Sequence, residues 1–120
     1  MLPRTPRLLA ALGLAVSLGA CVSAPPVARN LPDDIRQADR EFDRRLRVRF
    51  PVGSPSGEMI RALTAEGFEP SHARNSDPST HVYQYERGTF PCSFSWNVFW
   101  TSDNADRVTD VSGTYDAICL

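Results

Sequence analysis

From Phe90 to Thr101 the chain alternates without a break. Phe90, Cys92, Phe94, Trp96, Val98 and Trp100 point one way, and Pro91, Ser93, Ser95, Asn97, Phe99 and Thr101 point the other. A period of two held this long is a β-strand with one face over a core. Pro91 has no amide hydrogen, so regular pairing is expected only after it. Ser102-Asp103-Asn104-Ala105-Asp106 is a turn, and beyond it Val111, Gly113, Tyr115, Ala117 and Cys119 share one face of a second strand. Opposing Cys92 to Cys119 in an antiparallel pair also opposes Phe94 to Ala117, Trp96 to Tyr115, Val98 to Gly113 and Trp100 to Val111. Large side chains then meet small ones at two levels. A one-residue slip would put the apolar faces out of phase, while a two-residue shift keeps them in phase and is the competing register. The connection from Thr101 to Asp110 is longer than a tight turn, which places Val108 near a bulge.

A third strand precedes these two. His81, Tyr83 and Tyr85 alternate with Val82, Gln84 and Glu86 until Gly88 interrupts the run, and residues 69–79, rich in Pro, Ser, Asn and Asp, are expected to form a loop. Two helices come earlier. Pro32-Asp33-Asp34 suits a first helical turn, with carboxylates at the positive end of the helix dipole. Ile35, Ala38, Phe42, Leu46 and Phe50 then recur every three or four residues as one apolar stripe, and Pro51 ends it. Between them stand Arg36, Arg40, Glu41, Arg44, Arg45, Arg47 and Arg49, a solvated face with intrahelical pairs such as Glu41 with Arg45, or else a basic binding face. In the second helix Ser54 is the expected cap and Pro55 the first helical residue, with Met59, Ile60 and Leu63 buried. Gly67 and then Phe68 fit a Schellman ending folded back on Leu63.

The amino-terminal residues say where such a domain would reside. Arg4 and Arg7 precede an apolar run from Leu8 to Leu18, and Leu18-Gly19-Ala20-Cys21 follows. This has the parts of a secretory signal, and the cysteine at the cut resembles the lipobox of bacterial lipoproteins. The resemblance implies cleavage before Cys21, acylation of its thiol (palmitate being the usual chain) and a further acyl chain on the new amino terminus. Several acyl chains make attachment effectively permanent. The run of 11 residues falls short of the roughly 20 needed to span a bilayer. A plain secretory peptide, leaving Cys21 an ordinary thiol, is the alternative. Val22 occupies the position where, by this family's sorting rule, an Asp would favour inner-membrane retention, so the implied address is the periplasmic side of the outer membrane. The expected organisation is a signal peptide over 1–20, a lipidated cysteine and flexible tether over 21–31, carrying Pro25-Pro26, and one small domain over 32–120.

Loss of residues 1–20 leaves 11 arginines against 14 acids and no lysine. That balance argues against nucleic acid as a partner. With Cys21 assigned, Cys92 and Cys119 remain as an even pair in an oxidising compartment, which is expected to be a disulfide. Closing a loop of that length contributes about 3.5 kcal/mol in the chain-entropy picture. A metal held by the two cysteines with His72 or His81 is the alternative, but the spacings match no zinc pattern. No metal or cofactor is expected.

Two helices followed by three antiparallel strands, behind a lipobox, resemble the BamE (SmpA/OmlA) small-lipoprotein fold, which the β-lactamase-inhibitor-protein repeats share. The resemblance covers roughly Phe50 to Leu120 and rests on Pro51-Val52-Gly53 leading into the short helix, its glycine-ended turn and the aromatic strands. Gly67-Phe68-Glu69-Pro70 replaces the family's Gly-x-Pro, and the cysteine pair and the long first helix are further departures. The implied fold is α+β, two helices packed on a three-stranded antiparallel sheet as a two-layer sandwich. The implied role is a non-catalytic scaffold or adaptor in the cell envelope, attached to the membrane through its lipid and binding another envelope protein. The alternative is an inhibitor of a periplasmic or foreign hydrolase.

A catalytic site needs a nucleophile, a base and an orienting group within reach. His72, in the loop, and His81, at a strand start, belong to no motif, and Asp110 and Asp116 lie on the polar side of the last strand; no enzyme is expected. Tyr83 and Tyr85 are expected in the core. Phe99, an aromatic among Asn97 and Thr101 on a polar face, is the candidate anchor for a partner, unless a tether, a loop or a helix covers it.

Overall fold

In the computed structural model residues 24–71 and 77–120 are described. The expected signal segment, with Cys21, lies outside them, as does His72. The first helix, α1 (Ile35–Arg49), begins where Asp34 accepts the Gln37 amide at 2.9 Å. Ala38, Phe42, Leu46 and Phe50 are buried as the stripe requires, while Ile35 is exposed. The second helix, α2 (Ser56–Ala65), ends as expected: Gly67 has φ +93°, the Phe68 amide reaches Leu63 O at 3.0 Å, and Phe68 is buried. Its start differs. Ser54 gives its hydroxyl to Pro51 O, and the helix amides of Ser56 and Gly57 bond instead to Asp106 O and Asp106 Oδ2, from the turn between the last two strands. A cap supplied from fifty positions away has no local signature.

The sheet has four antiparallel strands in the order β1 (Glu69–Pro70), β2 (Thr80–Thr89), β3 (Cys92–Ser102), β4 (Val108–Cys119), one more than expected. The additional strand β1 falls within the stretch expected to be a loop and pairs Glu69 with Gln84 and Pro70 with Tyr83. Two residues are too few to show alternation, and an edge strand tolerates proline. Gly88 does not end β2, which continues to Thr89 opposite Cys92. Between β3 and β4 the register is Cys92–Cys119, Phe94–Ala117, Trp96–Tyr115, Val98–Gly113 and Trp100–Val111, as the apolar pattern requires. It shifts between Thr101 and Ser102, so that Ser102 opposes Val108. Cys92 and Cys119 form a disulfide across the last rung.

Both helices cover one face of this sheet. Met59 and Leu63 of α2 join Phe42 and Leu46 of α1 over Trp96, Val98, Trp100 and Val111, and Trp100 Nε1 donates to the buried Ser56 hydroxyl at 2.9 Å. Along β4 the fit is close. A Cβ at Gly113 would overlap Leu46 Cδ1 and come within 2.9 Å of Phe42 Cε1. The outward amides of Gly113 and Tyr115 donate to Asp43 Oδ1 and Asp39 Oδ1 at 2.9 and 2.7 Å. Two carboxylates one helical turn apart thus replace the next strand.

The flexible tether expected over 21–31 is, from Ala24 onward, part of the packed domain. Pro26–Ala28 form a 3-10 turn, and Val27 and Ala28 are buried in the core. Arg45 holds this segment. Its guanidinium donates to Val27 O, Arg29 O and Asn30 O, while its Nε meets Glu41 at 3.1 Å. Hydrogen bonds from Arg44 and then Arg45 bring the Glu41 carboxyl down to about 2. Apolar packing decided the outcome here, since a Pro-rich composition does not reveal that Val27 and Ala28 have a core to enter.

Gly113→Ala should lower stability by about 1–3 kcal/mol, because the added methyl has to push aside the buried side chains of Leu46 and Phe42. Gly88→Ala, where a Cβ meets nothing within 4 Å, should leave it nearly unchanged. Urea unfolding of the two variants tests this. A carboxylate with a depressed folded-state value stabilises above its unfolded value and loses that contribution as the pH falls. Stability should therefore drop between pH 4.5 and about 2, with a shallower slope in Glu41→Gln when unfolding midpoints are followed against pH.

Candidate functional site

With α1, α2 and residues 24–31 all packed against one side, the other side of the sheet is open among the described residues. The register assigns it Val82, Gln84 and Glu86 from β2, Ser95, Asn97, Phe99 and Thr101 from β3, and Asp110, Ser112, Thr114 and Asp116 from β4. Phe99 stands opposite Val82 on one side and Ser112 on the other, near the centre of the face. It is half-buried, and Val82 and Asn97 beside it are buried. Toward α1 the surface dips into a groove of about 470 Å³ lined by Ile35, Arg36, Asp39, Phe99, Thr114, Tyr115 and Asp116. Phe99 and the exposed Ile35 supply its apolar surface.

The electrostatics of the face are one-sided. Glu69, Glu86, Asp110 and Asp116 are exposed on it or at its margin. Gln84 Nε2 donates to Glu86 at 2.9 Å, and Arg47 stands 3.9 Å from Asp110, a loose exposed pair. Arg36 is the cation at the groove itself. Hydroxyls and amides surround an aromatic side chain, with acids outside them. Such a surface can seat an apolar side chain of a partner and complement basic neighbours.

The other residues singled out from the sequence fall elsewhere. Tyr83 and Tyr85 lie on the helix-covered face, packed at its margin, with Tyr85 tilted against Phe68 at 5.7 Å and Trp96 at 5.5 Å. His81 also lies on that side, stacked on Trp100 at 5.0 Å, and its Nε2 is 3.5 Å from Ser102 Oγ. That is at the outer limit of a hydrogen bond. Cys92 and Cys119, joined as a disulfide, sit at the opposite end of the sheet from His81, so the two cysteines and His81 do not come together, while His72 lies outside the described residues. Among the described residues no group of three or more His, Cys, Asp or Glu could hold a metal ion.

Ile35 and Arg36 went unnoticed as site residues because Ile35 continues the apolar stripe of α1. Only the angle at which α1 crosses β4 turns the first helical turn toward Phe99. Compared with protein-family models, with curated proteins and with solved structures, the chain has no match.

Proposed function

We propose that this protein is a bacterial envelope lipoprotein, anchored by lipid on Cys21 to the periplasmic side of the outer membrane. In this reading it works as a non-catalytic adaptor. It recognises another envelope protein through the open sheet face centred on Phe99. The observation that carries the recognition half is the groove between Phe99 and the first turn of α1, where Phe99 and Ile35 stand beside Arg36, Asp39 and Asp116 on the sheet face opposite the core.

The anchoring half is supported by the lipobox residues Leu18-Gly19-Ala20-Cys21 behind their apolar run. The Cys92–Cys119 disulfide suits an oxidising compartment. Among the described residues no helix is long and apolar enough to cross a membrane. The order of two helices and then antiparallel strands supports a BamE-like architecture for the domain, with β1 and the packed segment 24–31 as its departures. A partner with an exposed apolar side chain flanked by Arg or Lys fits the face best, because its cations would meet Glu86, Asp110 and Asp116 while the apolar group displaces water at Phe99.

Cys21→Ser should move the protein from the membrane fraction to the soluble periplasm, and persistence with the membranes would refute lipidation. Phe99→Ser should abolish crosslinks from a photoreactive residue placed at Thr114 to the envelope partner, with little change in the thermal midpoint. An undiminished crosslink pattern would remove Phe99 from the interface.

A further inference from the structure

Among the described residues, the end of the sheet that carries the disulfide is apolar and exposed. β2 turns into β3 through Phe90-Pro91, the Leu120 amide donates to Pro91 O at 2.9 Å, and Cys92–Cys119 closes the rung behind them. Phe90 is 87% exposed, Ile118 60% and Leu120 96%, so three of the six exposed large apolar side chains of the described residues share this tip. Scattered singly, such residues mean little. Here they are adjacent, and no charged side chain occurs from Gly88 to Trp96 or from Ala117 to Leu120. Along the strands the next charged residues are Glu86, Arg87 and Asp116.

The amino-terminal segment arrives at this same end. Ala24 lines a hollow with Arg87, Phe94, Trp96 and Tyr115, and its carbonyl accepts Arg29 Nε at 2.6 Å. Phe94 is two residues from Cys92, or about 7 Å along a strand. Cys21 precedes Ala24 by three residues, which span at most about 11 Å even when fully extended. With 24–31 packed into the core and held by Arg45, there is no slack to lift the domain away from its anchor. A lipid on Cys21 therefore enters the bilayer within reach of the Phe90 turn.

We propose that the Phe90-Pro91 turn, together with Ile118, inserts into the lipid surface beside the anchor, so that the domain stands on the membrane with its disulfide end down. Arg87, exposed just behind the tip, is placed for lipid phosphates. The open sheet face then runs upright from the bilayer, with Phe99 above it and clear of the headgroups. The disulfide keeps the immersed ends of β3 and β4 paired. This inference rests on acylation of Cys21 and deepens that reading by assigning an orientation.

The test is hydroxyl-radical footprinting, read by mass spectrometry, of the full acylated protein in phosphatidylethanolamine–phosphatidylglycerol vesicles, with Cys21→Ser protein in buffer as reference. Most labelling of Phe90 and Ile118 should be lost on the vesicles, while the exposed Val52, at the other end of the fold, keeps its reference labelling. Acylated protein that floats with the vesicles yet shows Phe90 and Ile118 labelled as in the reference would overturn the insertion and leave the anchor standing. Protein that carries no acyl mass and does not float would overturn the anchor, and the inference with it.

Discussion

The contact between α1 and β4 governs the rest of the architecture. An edge strand presents unpaired amides that invite another chain, and here α1 closes that edge with side chains. Asp39 and Asp43 accept the Tyr115 and Gly113 amides, while Gly113, having no side chain, lets Phe42 and Leu46 lie directly on the strand. These features require one another. A Cβ at Gly113 would overlap the buried side chains of Leu46 and Phe42, which lie directly on the strand. Because the helix is pinned at the edge, it covers only part of the inner face, and other elements complete the layer.

At one end of that face the cover is α2, positioned by contacts distant in sequence. Asp106 caps its first amides, Ser56 takes the Trp100 indole hydrogen, and Phe68 folds under its last turn. At the other end the cover is the irregular segment 24–31, which Arg45 draws over Phe94, Trp96 and Tyr115 through three backbone carbonyls. Desolvation of Tyr115 in this setting pushes its phenol above the ordinary range. Every covering element lies on the same side. Among the described residues the opposite side is left as the open surface around Phe99, and the tip at Phe90 is exposed.

That asymmetry links architecture to the proposed role. A domain of this size can use one sheet face for its core and keep the other for recognition. The segment that completes the core is also the one that leads to Cys21, so in the proposed reading packing and attachment are coupled. Shortening the free linker to a few residues turns a loosely held domain into one with a defined orientation, which reduces the orientational freedom lost when a partner docks.

Local pattern was enough for much of the fold. The stripe of α1, the Gly67–Phe68 ending of α2, the long alternation of β3 and the register that joins Cys92 to Cys119 depend on neighbours in sequence or on matching two strands of period two, and such matching tolerates no one-residue slip where one face is buried. Phe99 as an aromatic on a polar face was legible in the same way. What only the tertiary structure decided was everything that joins elements distant along the chain without periodicity. These are the two-residue strand β1, the Asp106 cap, the aspartates that close the β4 edge, and the burial of Val27 and Ala28 in what composition alone suggests is a tether. A hydrogen bond from a single carboxylate, or one pair of small side chains in a core, leaves no repeat to detect, and its existence depends on how α1 crosses the sheet.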